Sequence, residues 1–521
     1  MRAELARSEG LGSWLHRRRH KSAGQTAIVF NDRLITYDEL DRRVDALANA
    51  LANNGVRAGD HVAFAGENHP AFLETLFAVS QLGAVTVALN ARLAAAEIAY
   101  MLGDSASTTL IYLDVLEPMV GEALRLQPLD RVIRVRTAEH PEVAEDRAED
   151  RDFDEVVESG RPQYVEIAVT LDDPALILYT SGTTGRPKGA VLTHGNLTWN
   201  TFNVLVDYDY VSDDVSLMIS PMYHVAALSM GVLPTLLKGG AIVLEPKFDA
   251  GRALRLIEKY GVTTLNGVPT TFQLLCDHES WHASDVSTLR KLTCGGSPIA
   301  ARVSDEFEKR GLAFSAGYGM TETSPGITSV SAAQSKVSPG STGLPHFFVD
   351  MRVDGAEQDD AGVIGEIQVR GRNVFAGYWN NPDETARSFT HDGWFKSGDL
   401  GYLDEKHFVH LSGRSKDMII SGSENIYPAE IEAIIVELQQ VAAAAVIGFA
   451  DDRWGEVPWA FITVKPGHSL TDVEVVTHLS SRLGRYKLPK RVLILDTMPM
   501  TATGKVRKAE IKAAYSGAES S

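Results

Sequence analysis

Cysteine is nearly absent from this sequence. Cys276 and Cys294 are the only two cysteines among 521 residues, too few for a disulfide framework or for a zinc site built from cysteines. Disulfide frameworks belong to oxidising compartments, so this scarcity fits a reducing one. The chain is also too long for one simple hydrophobic core, and we expect two or more domains.

Long apolar runs are missing as well. The longest, Leu76 to Leu89, is broken by polar residues and a glycine, and it falls short of the roughly 20 apolar residues that a spanning helix needs. The basic cluster from Arg17 to Lys21 is not followed by the apolar core of a secretory signal. We interpret this cluster as a solvated helix face, with peripheral contact to a membrane surface as the alternative. The expectation is a cytoplasmic protein without a membrane span.

Positive charge is in deficit. The sequence has 50 Lys and Arg against 68 Asp and Glu, a formal net charge of −18, which argues against a nucleic-acid-binding protein. The apolar and charged fractions are ordinary for a globular protein. Composition therefore argues against nucleic-acid binding, and the function must be inferred from the motifs.

Helical patterns and apolar runs alternate along the chain. A helix is expected after Thr36, an N-cap candidate with Glu39 in the capping-box position, and another over 71–82. Buried strands are expected at 61–63 and 84–89. This alternation predicts an α/β fold with parallel sheets flanked by helices.

The densest cluster of glycine and small hydroxyl residues follows a predicted strand at 175–179. Its members are Thr180, Ser181, Gly182, Thr183, Thr184 and Lys188. Backbone N–H groups and hydroxyls of such a loop can converge on a polyanion, and Lys188 adds a positive charge for phosphate oxygens. The loop differs from G-x-x-x-x-G-K-[ST], and a plain polar turn is the alternative. We interpret it as a loop that holds a phosphate chain.

Two further motifs contain glycines, and the first of them follows a predicted strand. The first runs through Gly295, Gly296, Ser297 and Pro298, and the second through Gly317, Tyr318, Gly319, Thr321 and Glu322. Glycines at the end of a strand let a flat ligand approach the backbone. Tyr318 suits stacking on a nucleobase, and Glu322 is a hard oxygen ligand for Mg²⁺. In a third motif, GWFKSGD, Asp399 suits two hydrogen bonds from a ribose diol.

Taken in order, YTSGTTGRPKG, GYGMTE, GWFKSGD and TATGK resemble the motifs of the adenylate-forming superfamily. This superfamily includes acyl-CoA synthetases, aryl-CoA ligases, luciferases and peptide-synthetase adenylation domains. The resemblance extends from about residue 12 to residue 512. It implies a large N-terminal domain of parallel-type sheets flanked by helices plus a distorted barrel, over 1–413. A small mobile α+β C-terminal domain would occupy 414–521, with the hinge at Lys416.

The resemblance also implies roles for single residues. Lys505, with Pro499 six positions before it, matches the family's catalytic lysine, and Thr321 would act on the α-phosphate beside the Mg²⁺ ligand Glu322. Asp399 and Arg414 would hold the ribose, and Gly295 to Pro298 would form one wall of the adenine site. A loop bearing Gly422, Glu424 and Asn425 would line the CoA tunnel after domain rotation. Many relatives carry Gly-Gly where this chain has Gly422-Ser423.

The acid-binding side of the site is implied by an aromatic–histidine pair, Tyr223-His224. In the resembling family this pair borders the acyl pocket, and amino-acid-activating members usually carry an acidic residue there. Because neither Tyr223 nor His224 is acidic, an α-amino acid substrate is disfavoured. The alternative for His224 is a histidine that is simply part of the core. Neighbours of apolar or small character extend the predicted pocket: Val225, Ala226, Ser324 and Pro325.

These features predict an ATP-, Mg²⁺- and CoA-dependent ligase that forms an acyl-adenylate and then an acyl-CoA. The substrate is expected to be a fatty acid or a phenylpropenoic acid such as ferulate, and the two are left unranked. Three alternatives stay open: an enzyme that loads a carrier protein, a luciferase-like oxygenase and a nucleotide sensor. The intact Lys505 disfavours the sensor.

Overall fold

The computed structural model describes residues 8–137, 150–165, 167–180, 187–295, 299–357, 360–414, 417–421, 424–451, 454–480, 483, 487–501 and 505–516. The chain divides into two compact units. The first comprises Met1–Met351 and Val369–Phe395, and the second Arg352–Gln368 and Lys396–Ser521. The predicted hinge residue Lys416 lies outside the described residues, so the hinge and the 413/414 boundary stay predictions.

The strands are numbered in chain order. They are β1 (Thr26–Phe30), β2 (Arg33–Thr36), β3 (His61–Gly66), β4 (Val85–Asn90), β5 (Thr109–Leu113), β6 (Arg131–Val135), β7 (Arg151–Asp152), β8 (Pro174–Thr180), β9 (Lys188–Thr193), β10 (Val215–Met218), β11 (Ala241–Leu244), β12 (Thr264–Gly267), β13 (Lys291–Cys294), β14 (Phe314–Gly319), β15 (Gly326–Val330), β16 (Leu344–Pro345), β17 (Val349–Val353), β18 (Gly365–Gly371), β19 (Gly377–Tyr378), β20 (Phe395–Leu403), β21 (Val409–Arg414), β22 (Ile419–Ser421), β23 (Glu424–Ile426), β24 (Val441–Asp451), β25 (Gly455–Val464) and β26 (Arg491–Leu495).

Helices alternate with these strands through most of the chain. They are α1 (Ser13–Ser22), α2 (Tyr37–Asn53), α3 (Pro70–Gln81), α4 (Ala95–Asp104), α5 (Glu117–Leu126), α6 (Phe153–Ser159), α7 (His194–Asp207), α8 (Val225–Ala227), α9 (Leu233–Lys238), α10 (Ala250–Tyr260), α11 (Pro269–Asp277), α12 (Ala301–Glu308), α13 (Ala332–Ser335), α14 (Pro382–Arg387), α15 (Pro428–Ile435), α16 (Asp472–Ser480) and α17 (Lys508–Tyr515). A π-helical turn, Leu228–Val232, joins α8 to α9, and a 3₁₀ turn, Thr321–Thr323, follows β14. Among the described residues, no helix has both the length and the apolar character that crossing a bilayer requires.

Two large sheets form the first unit. One has nine strands in the order β16-β15-β14-β13-β12-β10-β11-β1-β2, and the other has eight in the order β19-β9-β8-β4-β3-β5-β6-β7. The inner strands of both sheets are parallel, as expected from the helix–strand alternation. Antiparallel strands lie at three of the four sheet edges, at β2, at β15 and β16, and at β9 and β19, whereas the edge strand β7 is parallel to β6. The direction of these edge strands was not predicted.

Local sequence explains why these elements form where they do. The run VTVALN of β4 lies between two parallel neighbours, and all but its last residue are buried, as is typical of strands covered on both faces. Helix α2 begins where Thr36 accepts a hydrogen bond from the Glu39 N–H at 3.1 Å, which confirms the predicted cap. Helix α10 is capped by Asp249 and ends at Gly261, whose φ of 61° is left-handed.

In the part of the second unit that the structure describes, sheets combine with three helices, α15 to α17. Its strands follow the order β23-β22-β25-β24, with β26 added in parallel to β25. Ile431 of α15 and Val475 of α16 pack on Ile419, Val446 and Ile462 of this sheet, and all five are buried. A four-stranded sheet, β17-β18-β20-β21, supplies further β-structure, and the unit boundary falls within β17 and β18. The expected small α+β domain is therefore present.

Candidate nucleotide and acid site

The carboxyl ends of neighbouring parallel strands bring distant motifs to one edge of the nine-stranded sheet. β10, β12, β13 and β14 lie side by side in that order. Tyr223-His224 follows β10, Gly295 follows β13, and Gly319 ends β14. In open α/β sheets, ligands bind beyond the carboxyl ends of the strands. The predicted adenine and acid residues therefore share one edge, while Gly296, Ser297 and Pro298 lie outside the described residues.

The glycines of this edge serve two different purposes. A Cβ atom on Gly319 would lie 1.5 Å from the Pro325 carbonyl oxygen, and one on Gly317 would lie 2.8 Å from that of Thr328. Both glycines are required because the backbone passing from Pro325 into β15 comes so close, a reason the sequence analysis did not anticipate. A Cβ on Gly295 would meet no atom within 4 Å. Gly295 therefore borders open space that a flat ligand can enter.

Thr321 and Glu322 lie in the short 3₁₀ turn directly after β14, and both are half-buried. The Glu322 carbonyl accepts a hydrogen bond from the Phe375 N–H at 2.8 Å. The Glu322 carboxylate accepts another from the Tyr378 hydroxyl, also at 2.8 Å. Backbone and side chain of the predicted metal ligand are thus both held by the segment that contains β19.

The predicted phosphate loop closes a β-hairpin between β8 and β9. Thr180 and Lys188 form its last pair, and residues 181–186, which include Ser181, Gly182, Thr183 and Thr184, lie outside the described residues. The Lys188 ammonium forms an ion pair with the Glu384 carboxylate and lies 5.5 Å from the ring centroid of Tyr378. The pKa of Glu384 lies below its usual value. Lys188 is the main cause, and Arg387, which lies 2.7 Å from the Glu384 carboxylate, is the second.

The segment 375–379 joins this hairpin to Glu322. β19 pairs with β9 so that Gly377 faces Val191 and Tyr378 faces Ala190. The Trp379 N–H donates to the Gly189 carbonyl at 2.7 Å, next to Lys188. Burial, followed by the nearby charge of Glu322, raises the pKa of the Tyr378 hydroxyl well above its usual value, so it stays protonated and donates.

Sequence reasoning missed Tyr378 and Glu384. Tyr378 lies 56 positions from Glu322, and Glu384 lies 196 positions from Lys188. The run NPDET is typical of a helix start, because asparagine caps helix α14 and proline occupies its first turn. That signal predicts the helix and gives no indication of the residues it contacts.

Tyr223 and His224 were predicted to border the acid. Their rings lie edge to face with centroids 4.8 Å apart, and burial raises the pKa of the Tyr223 hydroxyl. Val225 is buried, whereas Ala226 is exposed. Of the second predicted pocket segment, Ser324 is fully buried with a left-handed φ of 69°, and Pro325 is half-buried.

The π-helical turn Leu228–Val232 that follows His224 is held by polar contacts from the same edge. The Tyr210 hydroxyl donates to the Met230 carbonyl at 3.0 Å, and the Asn266 amide donates to the Tyr210 oxygen at 3.1 Å. π-helical turns frequently occur at functional sites. This one stands beside the residues predicted to bind the acid.

The remaining predicted residues belong to the second unit. Asp399 of β20 is buried and lies directly opposite Arg414 of β21, so the two predicted ribose residues are cross-strand neighbours. Glu424 and Asn425 lie in β23, whereas Lys416 and Gly422 are outside the described residues. Lys505 is exposed, and its backbone forms two hydrogen bonds with Thr501, of 3.0 and 2.7 Å.

Comparison with known proteins identifies similar families and relatives. The family model "AMP-binding enzyme" matches residues 15–379, and "AMP-binding enzyme C-terminal domain" matches residues 430–505. Feruloyl-CoA synthases from Amycolatopsis sp and Streptomyces sp are each 45% identical over 97% of this chain and 99% of their own length. A long-chain-fatty-acid–CoA ligase of Mycobacterium tuberculosis is 32% identical over 92% of this chain and 93% of its own.

Solved structures give the same result. ATP-bound MatB from Rhodopseudomonas palustris superimposes with a TM-score of 0.86 at 30% identity, covering 97% of this chain and 99% of that one. The likeness therefore includes both matched regions of the chain.

Alanine substitutions test the two purposes of the glycines. Gly319→Ala should lower the melting temperature of the protein clearly, because its Cβ would overlap the Pro325 carbonyl oxygen. Gly295→Ala should leave the melting temperature nearly unchanged, because its Cβ enters open space. Thermal unfolding followed by circular dichroism measures both. Equal losses would show that Gly295 is a packing residue and does not border a ligand.

Proposed function

The chain belongs to the family of AMP-binding enzymes, and on that premise we propose that its acid is a phenylpropenoic acid of the ferulate class. The enzyme is an acid–CoA ligase that consumes ATP, uses Mg²⁺ and CoA, and releases AMP and pyrophosphate. The substrate rests on one observation, the 45% identity to feruloyl-CoA synthases over nearly the whole of both chains. The identity to the fatty-acid ligase is 32%. The cytoplasm is the expected location, in keeping with the scarcity of cysteine.

The first half-reaction joins the acid to AMP. A carboxylate oxygen of the acid attacks the α-phosphorus of ATP, the bond to the β-phosphate oxygen breaks, and pyrophosphate leaves. Negative charge builds up on the phosphates, and fixed donors and cations stabilise it. We assign this task to Lys188 together with the loop after Thr180, to the Thr321 hydroxyl and to the Lys505 ammonium. Asp399 and Arg414 are assigned to the ribose.

The residues present fit a divalent cation. Glu322 offers a carboxylate in the turn after β14, and Tyr378 already fixes one of its oxygens. Mg²⁺ bound there would offset phosphate charge. Glu322 would hold the cation, while Thr321 next to it would address the α-phosphate.

The second half-reaction transfers the acyl group to CoA. The thiolate sulfur attacks the carbonyl carbon of the acyl-adenylate, the carbon–oxygen bond to the phosphate breaks, and AMP leaves. Rotation of the small domain about Lys416 would withdraw Lys505 and bring the segment of Gly422, Glu424 and Asn425 to the thiol. Such a movement allows one site to serve two chemistries in turn.

An aromatic acid suits the residues assigned to the pocket. Tyr223 and His224 present two rings in an edge-to-face pair, and a phenyl ring can add to such a pair. Neither residue is a carboxylate, so neither would pair with the ammonium of an α-amino acid. A fatty acid remains the competing substrate, because Val225 and the apolar π-helical turn would also accept an alkyl chain.

An acid panel tests the substrate directly. With ATP, Mg²⁺ and free CoA, ferulate should exceed hexadecanoate in kcat/KM by about tenfold or more, a difference of about 1.4 kcal/mol in transition-state binding. Benzoate serves as a control for the propenoic spacer between ring and carboxylate, and phenylalanine serves as a control for the amino group. AMP release is measured with and without CoA. A preference for hexadecanoate would contradict the aromatic substrate, and AMP release independent of CoA would point to a carrier-protein acceptor.

The role assigned to Lys505 predicts a split between the two half-reactions. Lys505→Ala should slow adenylation by about 10²- to 10³-fold, because a cation is lost from the developing phosphate charge. Thioester formation from synthetic feruloyl-AMP and CoA should be largely preserved. Lys512→Ala, which removes another exposed lysine of the second unit, is the matched control. Equal losses in both half-reactions would refute the assignment.

A further inference from the structure

Tyr378 contacts Glu322 and Lys188. These are the two charged side chains of the first unit that are assigned to the first half-reaction. The Tyr378 hydroxyl donates to the Glu322 carboxylate at 2.8 Å. The ammonium of Lys188 lies 5.5 Å from its ring centroid, within the range of a cation–π contact. One side chain thus holds an anion through its hydroxyl and a cation through its ring.

Glu322 depends on such a partner for its orientation. It lies in a 3₁₀ turn of three residues, and a half-buried glutamate has several rotamers open to it. Carboxylates that bind metal ions are commonly oriented by a hydrogen bond from a neighbouring residue, and loss of that neighbour weakens metal binding. The 2.8 Å bond from Tyr378 supplies this restraint on the carboxylate.

Tyr378 is itself rigidly placed. Its backbone is paired with Ala190 of β9, and its N–H donates to the Thr385 hydroxyl at 2.9 Å. Its ring packs edge to face on that of the buried Phe375, with centroids 4.9 Å apart. Backbone pairing and ring packing therefore fix the hydroxyl independently of Glu322.

Lys188 is restrained by the same region of the chain. Helix α14 begins four residues after Tyr378, and its Glu384 forms the ion pair with Lys188. The ammonium therefore has a carboxylate on one side and the Tyr378 ring on another. Both groups direct it to a defined place at the base of the hairpin.

We infer that Tyr378 is a positioning residue that orients Glu322 for the divalent cation and Lys188 for the phosphates. The inference rests on the proposed function, which assigns Glu322 to the cation and Lys188 to the phosphates. The two tasks use different parts of the tyrosine. Removing the hydroxyl should affect the cation alone, and removing the ring should affect the phosphates as well.

Binding measurements without turnover separate these tasks. The full-length protein is titrated with Mn²⁺ in the presence of α,β-methylene-ATP, which cannot release pyrophosphate, and free Mn²⁺ is followed by electron paramagnetic resonance. Affinity for the analogue is measured separately in EDTA. The variants are Tyr378→Phe, Tyr378→Leu and Glu322→Gln. Tyr260→Phe removes a tyrosine hydroxyl that donates to the Asp32 carboxylate at 2.7 Å, and is the matched control.

Tyr378→Phe should raise the Mn²⁺ dissociation constant about tenfold and leave the analogue's affinity in EDTA unchanged. Tyr378→Leu should also weaken the analogue in EDTA, by about twofold to fivefold, because the ring beneath Lys188 is gone. Tyr260→Phe should change neither constant. Melting temperatures of all variants are recorded beside the binding data.

Three outcomes would overturn the inference. If Glu322→Gln weakens Mn²⁺ binding and Tyr378→Phe does not, Tyr378 has no positioning role, although Glu322 keeps its assignment. If Tyr378→Phe weakens Mn²⁺ and the analogue in EDTA equally, its role is structural. If Glu322→Gln leaves Mn²⁺ binding unchanged, the assignment of Glu322 fails and the inference fails with it.

Discussion

The pairing of β19 with β9 is the contact on which the geometry of the first unit's site depends. Glu322 lies at the carboxyl edge of the nine-stranded sheet, whereas Lys188 belongs to a hairpin of the eight-stranded sheet. The segment 375–379 bonds to both: Phe375 donates to the Glu322 carbonyl, and Trp379 donates to the Gly189 carbonyl. Two sheets that fold around separate cores thus contribute to one constellation of charges.

The charge of the protein explains why the groups that bind phosphate must lie close to it. The protein carries a formal net charge of −18, and its ligand ATP is also strongly anionic. At physiological ionic strength, charges more than about 8 Å apart are largely screened, so groups close to the phosphates decide the binding. Lys188, kept at the base of the hairpin by Glu384 and Tyr378, is such a group. A divalent cation at Glu322 would be a second one.

Sequence reasoning succeeded where the physical cause was local. The apolar run at 175–179 became β8, and Thr36 caps α2, because both depend on residues within a few positions of one another. The antiparallel edge strands were not predicted, since an apolar run does not record the direction of its neighbour. Gly317 and Gly319 were predicted to border a ligand, which stays a prediction, whereas the structure shows that glycine is needed there because the backbone passes close by at Pro325 and Thr328. The role of Tyr378 was not predicted, because its partner Glu322 is 56 positions away.

In the proposed reaction, the acid is activated by attack of its own oxygen on the α-phosphorus of ATP. Ferulate labelled with ¹⁸O in both carboxylate oxygens tests this claim most directly, with mass spectrometry of the nucleotide after one round of turnover with CoA. One ¹⁸O atom should appear in AMP, because the carbon–oxygen bond breaks when the thiolate attacks and that oxygen stays on phosphorus. Unlabelled AMP, or ADP in its place, would contradict an acyl-adenylate intermediate.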